Sequence, residues 1–400
     1  MVDGCAPSPL LLLLDLAAVV VVFCIFSASQ HQRKKTTLAL LSQKNCWSGN
    51  LKDILVVVRA KMENALQAPP GQPGVVGWWK SFFCVHLGLV TWTMGLPFAI
   101  AGITAVLRGW YGTAAFVFVV IIAPYTIITT RWPRWNRLCI DNFTSSRAFA
   151  KCTMLQDSQE PVDFGTGEKG KKGEANPVLL AYSPHGVFCT AFSGSHGVLH
   201  PTFWDNDVVF LLAGVLYSMP LFRLFVVAMF GNTKDASKNT MESLMRQRRN
   251  IALLPGGFEE ASIAEPGKDR VFVRGRKGFI KLALRHGYTI HPIYTFGEAD
   301  TYHNFVPTWL PFKVRWLINS YKLPVVAPWG RWWAPLQPIA GAELHTVIGR
   351  PIKCPKIDEL ELQKGKLIDE YHRKYVAELL RVFDEHKGKF GRANAQLEIY

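Results

Sequence analysis

The sequence predicts an α/β domain with a mainly parallel central sheet, preceded by a transmembrane helical hairpin. Three observations carry this. After a polar loop at 165–174, short apolar β-rich runs alternate with helix-length segments, the pattern of strands joined by crossover helices. Before it stand two long stretches without a formal charge, 82–107 and 113–130, each near bilayer-spanning length. Basic residues flank that pair: Lys80 before it, and Arg131, Arg134 and Arg137 after it.

The chain has 400 residues, 49% of them hydrophobic, and a formal charge of +15. Basic chains meet nucleic acid, anionic lipid or phosphorylated small molecules. No zinc-finger spacing or other nucleic-acid module occurs, so no nucleic acid is expected and lipid headgroups or a phosphate-bearing substrate remain. The eight cysteines are scattered without a C-x-x-C pair. That argues against a disulfide framework or a metal site and fits reduced thiols facing the cytosol.

Residues 1–76 form an N-terminal region. Its segment 9–28 is long enough to span a bilayer, with Asp15 as the flaw. Asp3 stands where a secretory signal would be positive, and Arg33, Lys34 and Lys35 follow the apolar run. The positive-inside rule then places the following chain in the cytosol. A cleaved targeting peptide is the alternative. PPGQPG at 69–74 is a linker.

Residues 77–137 form the hairpin, turned by Arg108-Gly109-Trp110-Tyr111-Gly112. Basic residues at both ends put both ends on the cytosolic side, and Trp132 and Trp135 suit the headgroup zone. A pair of buried core helices is the alternative. The sequon Asn142-Phe143-Thr144 would then face the cytosol, unglycosylated.

Residues 138–400 form the cytosolic-facing domain. Strands are expected at 178–182, 208–212, 251–254, 289–294 and 346–348. Helices are expected at 235–249, at 275–286 with Gly287 as the stop, and at 358–386. The apolar run 214–230, broken by Pro220 and Arg223, suits a helix lying on the membrane, lining an acyl cavity, or buried in the core. The loop 165–174 lacks the Gly-Lys-Ser/Thr ending of a phosphate loop.

Three motifs sit where ligands bind, at strand C-terminal ends. The first is Ser183-Pro184-His185-Gly186. A turn needs the proline and glycine, not the imidazole, which can accept a proton at neutral pH. A hydrogen-bonded turn histidine is the plain alternative. The second is Gly256-Gly257 with Glu259 and Glu260. Its N–H groups suit an oxyanion or phosphate, and its carboxylate suits a histidine or a hydroxyl. Taken alone, the motif reads sooner as an ordinary strand-to-helix turn with an acid at the helix N-terminus. The third places Lys277, Lys281 and Arg285 on one helix face, with Arg276 at its start. Such a stripe suits phosphates, or is simply solvated. Together they suggest acyl transfer from a phosphate-bearing carrier to a hydroxyl on an amphipathic substrate.

At these residues the chain resembles the type 2 diacylglycerol acyltransferase family, from about Pro177 to Gly391. Pro184-His185-Gly186 is similar to its His-Pro-His-Gly motif, and Gly256-Gly257-x-x-Glu260 to its glycine-pair motif. The block from Arg276-Lys277-Gly278-Phe279 through Lys281–Gly287 and Pro292-Ile293-Tyr294 to Phe296-Gly297-Glu298 is the most distinctive. Phe383–Lys387 with Lys389-Phe390-Gly391 resembles its C-terminal end.

Ser183 stands where many members carry the first histidine. Thr190 stands five residues after His185, where broader glycerolipid acyltransferases carry an orienting aspartate. The resemblance implies a glycerolipid-acyltransferase-like fold. It implies acyl-CoA as donor substrate, no cofactor, and diacylglycerol as acceptor, with monoacylglycerol or a long-chain alcohol as alternatives. It also implies His185 and Glu260 as catalytic, and Pro184, Gly186, Gly256, Gly257, Arg276, Lys277 and Lys281 as substrate-binding. The expected place is the endoplasmic reticulum membrane and the lipid droplet, and a homo-oligomer is allowed. A lipid-droplet scaffold descended from an acyltransferase is the non-enzymatic alternative.

Overall fold

A computed structural model describes residues 95–126, 149–157, 162–164, 176–194, 196–218, 222, 226, 232–305, 314, 327–332, 335 and 337–400, all within the unit Cys84–Tyr400. The apolar segment 9–28, the linker 69–74, residues 80–94 and 127–137, the sequon at 142–144, the loop 165–174 and most of 214–230 lie outside the described residues.

Helices α1 (Gly95–Leu107) and α2 (Tyr111–Thr126) lie in the two apolar stretches. Gly109 turns the chain at φ 73°. Its N–H bonds Val106 O (3.0 Å) and that of Trp110 bonds Ala105 O (2.8 Å), the paired bonds of a glycine helix stop. Small residues let the helices close. Ala105, Ala114 and Val117 are buried, and a Cβ on Gly102 would lie 3.0 Å from Val117 Cγ1. The outer faces are apolar and open, with Leu107 82% and Phe116 66% exposed, which is not the surface of buried core helices. The 13 residues of α1 make a rod about 20 Å long against a hydrocarbon core of about 30 Å. Among the described residues no helix is long and apolar enough to cross a membrane.

The α/β part opens with β1 (Lys151–Gln156), β2 (Val178–Ser183) and α3 (Thr190–Ser193). β3 (Val209–Leu212), β4 (Thr233–Asp235), α4 (Lys238–Arg246), β5 (Ile251–Leu253) and α5 (Gly257–Ile263) follow. Next come β6 (Asp269–Val271), α6 (Gly278–His286), β7 (Thr289–Phe296), β8 (His303–Phe305) and β9 (Ala327–Trp329). Then come β10 (Glu343–Ile348), β11 (Ile352–Lys353), α7 (Glu359–Gln363), α8 (Lys366–His386) and β12 (Leu397–Ile399).

Among the described residues eight strands form one sheet, ordered β1-β10-β7-β2-β5-β3-β4 with β11 also on β7. β7, β2, β5, β3 and β4 run parallel, and β10 and β11 run antiparallel to β7. β6 pairs with β12, and β8 with β9, in small separate ribbons. The central strand β2 is buried at every residue, as a parallel sheet covered on both faces requires. Its side chains alternate between two cores. Leu179 and Ala181 join Ile280, Tyr375 and Phe383, whereas Val178, Leu180 and Tyr182 join Phe192, Phe203 and Phe210.

The expected strands are present, with β7 and β10 longer than the sequence suggested. The helix expected over 235–249 starts at Lys238, because Asp235 closes β4 and Ser237 Oγ caps Thr240 N–H at 3.3 Å. Gly287 stops α6 at φ 69°. The expected helix 358–386 is two helices, because Gly365 adopts φ 75° between them, a left-handed conformation that ends a helix.

Candidate active site

β2, β5 and β7 are adjacent and parallel, with Ala181 opposite Leu253 and Ser183 opposite Tyr294. Their C-terminal ends therefore share one sheet edge. His185 follows β2, Gly256 follows β5 and Glu298 follows β7.

After Ser183 the chain turns, with Gly186 at φ 61°. A Cβ on Gly186 would lie 2.8 Å from Glu298 Cγ and 2.9 Å from Oε1, so the position needs glycine for space as well as for its backbone. His185 is half-buried, and its Nδ1 lies 2.9 Å from Gly186 O. A carbonyl only accepts, so Nδ1 carries the proton and Nε2 keeps the lone pair. Burial lowers the imidazole pKa, and the Gly186 carbonyl and the nearby Glu259 charge only partly oppose this. At neutral pH the ring is a neutral base.

Glu260 is buried at the first turn of α5. Its Oε1 accepts the His185 backbone N–H at 3.0 Å, and the carboxyl also takes the Phe272 N–H. Glu260 thus bonds the main chain of the turn and not the imidazole ring, whose Nδ1 is on Gly186 O. Burial pushes its carboxyl up to about 8, against the two N–H bonds and the Arg276 charge. A Cβ on Gly256 would fall 1.3 Å from Glu260 Oε2, so Gly256 gives the carboxyl its path. Gly257, at φ 57°, donates its N–H to Leu254 O at 3.2 Å. That N–H is taken up by the turn and does not face an oxyanion, which corrects half of the glycine-pair cradle.

Glu260 Oε2, Ser183 Oγ and Tyr375 Oη, the last from α8, each lack a formed hydrogen bond. Ser183 and the Glu260 carboxyl both act on the Tyr375 phenol. Burial raises the Tyr375 phenol pKa.

The basic block is not a free stripe. Arg276 Nη2 pairs with Glu259 Oε2 at 2.5 Å, and its guanidinium lies 5.1 Å from the centre of the Phe272 ring. Lys277 meets Asp369 at 2.7 Å, Lys281 meets Glu359 at 3.6 Å, and Arg285 bridges Glu242 and Glu359 at 2.8 and 2.7 Å. The stripe thus faces acids of α4, α7 and α8. Among the described residues no cluster of metal-ligating side chains occurs.

A further residue without an expected role, Glu298, stands at the same edge. Glu298 is buried, and its Oε1 accepts the Thr190 N–H at 2.6 Å and the Thr190 hydroxyl, while Oε2 accepts the Ala191 N–H at 2.8 Å. Beside it a cleft of about 310 Å³ is lined by Phe296, Gly297, His345, Phe390 and Arg392, among others. The quoted Phe296-Gly297-Glu298 motif marked the segment. Nothing in its spacing placed it against Thr190.

A neutral imidazole at a parallel sheet's C-terminal edge can accept a proton from a hydroxyl. The chain belongs to the diacylglycerol acyltransferase family, whose model matches residues 168–400. Diacylglycerol O-acyltransferase 2 of Homo sapiens is 32% identical over 238 residues, covering 53% of this chain and 57% of that protein. Acyl-CoA wax alcohol acyltransferase 2 of Homo sapiens is 27% identical over 72% of this chain and 90% of its own length. 2-acylglycerol O-acyltransferase 1 of Bos taurus is 32% identical over 53% of this chain and 66% of its own. The match to several of these curated relatives thus spans only 57–66% of their length. Among solved structures, the 1-acyl-sn-glycerophosphate acyltransferase PlsC of Thermotoga maritima aligns over 72% of this chain and 98% of its own. The identity is 12% and the TM-score 0.34, a likeness too distant to place residues by.

Proposed function

We propose that this chain moves a fatty acyl group from acyl-CoA to the free hydroxyl of diacylglycerol, making triacylglycerol. The observation that carries the reading is the His185 Nδ1 bond to Gly186 O, which leaves Nε2 as a proton acceptor at the sheet edge. Nε2 takes the hydroxyl proton as the oxygen attacks the thioester carbonyl. The tetrahedral intermediate then expels the CoA thiolate, which receives the proton from the imidazolium. The thioester is already activated, so the reaction needs neither a covalent enzyme intermediate nor a bound cofactor. With the Gly257 N–H committed to Leu254 O, oxyanion stabilisation falls to the Gly256 N–H or to backbone N–H groups of the turn after His185. Arg276, Lys277 and Lys281 would meet the CoA phosphates by exchanging Glu259, Asp369 and Glu359 as partners.

The exposed apolar faces of α1 and α2 support seating the hairpin in a bilayer, the solvent of both the acceptor and the product. On this reading the protein works at the endoplasmic reticulum membrane and the lipid droplet. The relatives' printed names also support a second acceptor class, a 2-acylglycerol or a wax alcohol.

The test is expression in cells that lack neutral-lipid synthesis, with wild type and His185→Ala side by side. Membranes are supplied with labelled acyl-CoA and each acceptor in turn. Triacylglycerol from wild type alone is expected. Wax ester or diacylglycerol would keep the chemistry and change the acceptor. A stable, membrane-bound wild type that makes no product would overturn the enzyme reading in favour of a lipid-droplet scaffold.

A further inference from the structure

Thr190 occupies the fifth position after His185 and brings no carboxylate of its own. A buried carboxylate reaches the same place from the turn after β7, across 108 residues of chain. Glu298 holds Thr190 through its N–H and hydroxyl, holds Ala191 through its N–H, and packs on Gly186 so closely that a Cβ there would clash. Gly186 is also the residue whose carbonyl fixes the His185 tautomer. Glu298 therefore touches both ends of the segment that carries the imidazole, the turn and the start of α3.

We propose that Glu298 is the positioning residue of His185: its carboxylate clamps Gly186 and α3 so that Nδ1 stays on the Gly186 carbonyl and Nε2 stays free at the sheet edge. The role belongs to a carboxylate placed beside residue 190, whichever strand supplies it. Burial pushes the Glu298 carboxyl up to about 7, while the Thr190 and Ala191 donors favour its ionised form. The clamp weakens when the carboxylate is protonated, because one acceptor oxygen then becomes a donor that faces other donors.

This proposal rests on the acyl-transfer reading for its kinetics but not for its second readout. The full chain is assayed in membranes as wild type, Glu298→Gln, Glu298→Ala, Thr190→Val and the double variant Thr190→Asp with Glu298→Ala. Glu298→Gln puts an amide NH₂ against N–H donors, and kcat is expected to fall about 10- to 100-fold with KM for acyl-CoA unchanged. Moving the carboxylate to position 190 in the double variant is expected to recover at least about tenfold over Glu298→Ala, a rescue that a merely space-filling side chain would not allow. Thr190→Val removes the hydroxyl donor alone, so it tests the clamp even where the Glu298 variants fail to accumulate. A smaller fall in kcat is expected from it.

In parallel, diethyl pyrocarbonate labelling of His185 is read by peptide mass spectrometry across a pH series. The label reports the neutral, accessible imidazole without turnover. Its rate is expected to change at least about threefold in Thr190→Val and Glu298→Gln as the ring loses its fixed orientation. Wild-type kcat in Glu298→Gln, no rescue in a folded double variant, or unchanged labelling in Thr190→Val would each overturn the clamp. A wild type inactive on every acceptor would sink the acyl-transfer reading alone, and the labelling would still decide the role of Glu298.

Discussion

Gly256→Ala is the sharpest single test of how the site is built. The added methyl would fall 1.3 Å from Glu260 Oε2, 2.4 Å from Cδ and 2.8 Å from Cβ. The clash involves the root of the side chain as well as its tip, so rotating the carboxyl cannot relieve all of it. Overpacking of this kind costs about 1–3 kcal/mol. Displacing the carboxyl also breaks its bond to the His185 N–H, about 1 kcal/mol more. The sum, about 2–4 kcal/mol, corresponds to a fall in Tm of roughly 4–16 °C for a domain of this class. The neighbouring glycine is the control. A Cβ on Gly257 would meet only Glu259 Oε2 at 3.7 Å, so Gly257→Ala costs only the left-handed backbone, about 1–2 kcal/mol. Thermal unfolding of the detergent-solubilised chain should rank Gly256→Ala below Gly257→Ala and both below wild type. Acyl transfer should fall most in Gly256→Ala, through displacement of His185. If the alanine at 256 were the milder of the two in both assays, the account of Glu260 as the brace of the turn would be wrong.

Other expectations follow from the same geometry. Burial lowers the His185 pKa below its ordinary 6.5, so kcat/KM should hold as pH falls through 6.5 and decline only at lower pH; a midpoint at or above 6.5 would contradict the buried base. Glu260 has a folded pKa near 8 against an ordinary 4.5, so the folded state binds the extra proton between those values and loses stability as pH rises through them. Glu260→Gln should flatten that slope in the same window, and identical wild-type and variant slopes would remove the claim. Tyr375→Phe keeps the ring against Phe279 at 5.1 Å and deletes one orphan hydroxyl. A double-mutant cycle with Ser183→Ala should therefore show coupling in kcat, and additive losses would mean that the two hydroxyls do not act together.

Much of the site was legible because its members sit next to strand ends in sequence. The apolar runs gave β2, β5 and β7, and the glycines and proline after them gave the turns that carry His185 and Glu260. The parallel register then brings those turns to one edge. Long-range contacts carry no such local signal. The acids that neutralise Lys277, Lys281 and Arg285 come from three other helices, so the stripe looked free. β12 pairs with β6 across 128 residues, and its three residues show no pattern that names a partner. Gly365 was visible, but its sequence does not say that φ becomes positive there. Glu298 illustrates the same limit, since its function depends on a threonine 108 residues away.

The β6–β12 ribbon sets an order of events during synthesis. β6 leads directly to Phe272, whose N–H is held by Glu260, and Glu260 in turn holds His185. Tyr400 closes the ribbon by accepting the Arg274 N–H at 2.7 Å and donating its own N–H to Val271 O at 2.8 Å. A ribosome that has made Glu298 has already produced every side chain proposed here for the chemistry except that of Tyr375. At about 5–20 residues per second, β12 follows only about 5–20 s later. Through that interval the nascent chain carries β6 with an unpaired edge, until residues 397–399 arrive to close it.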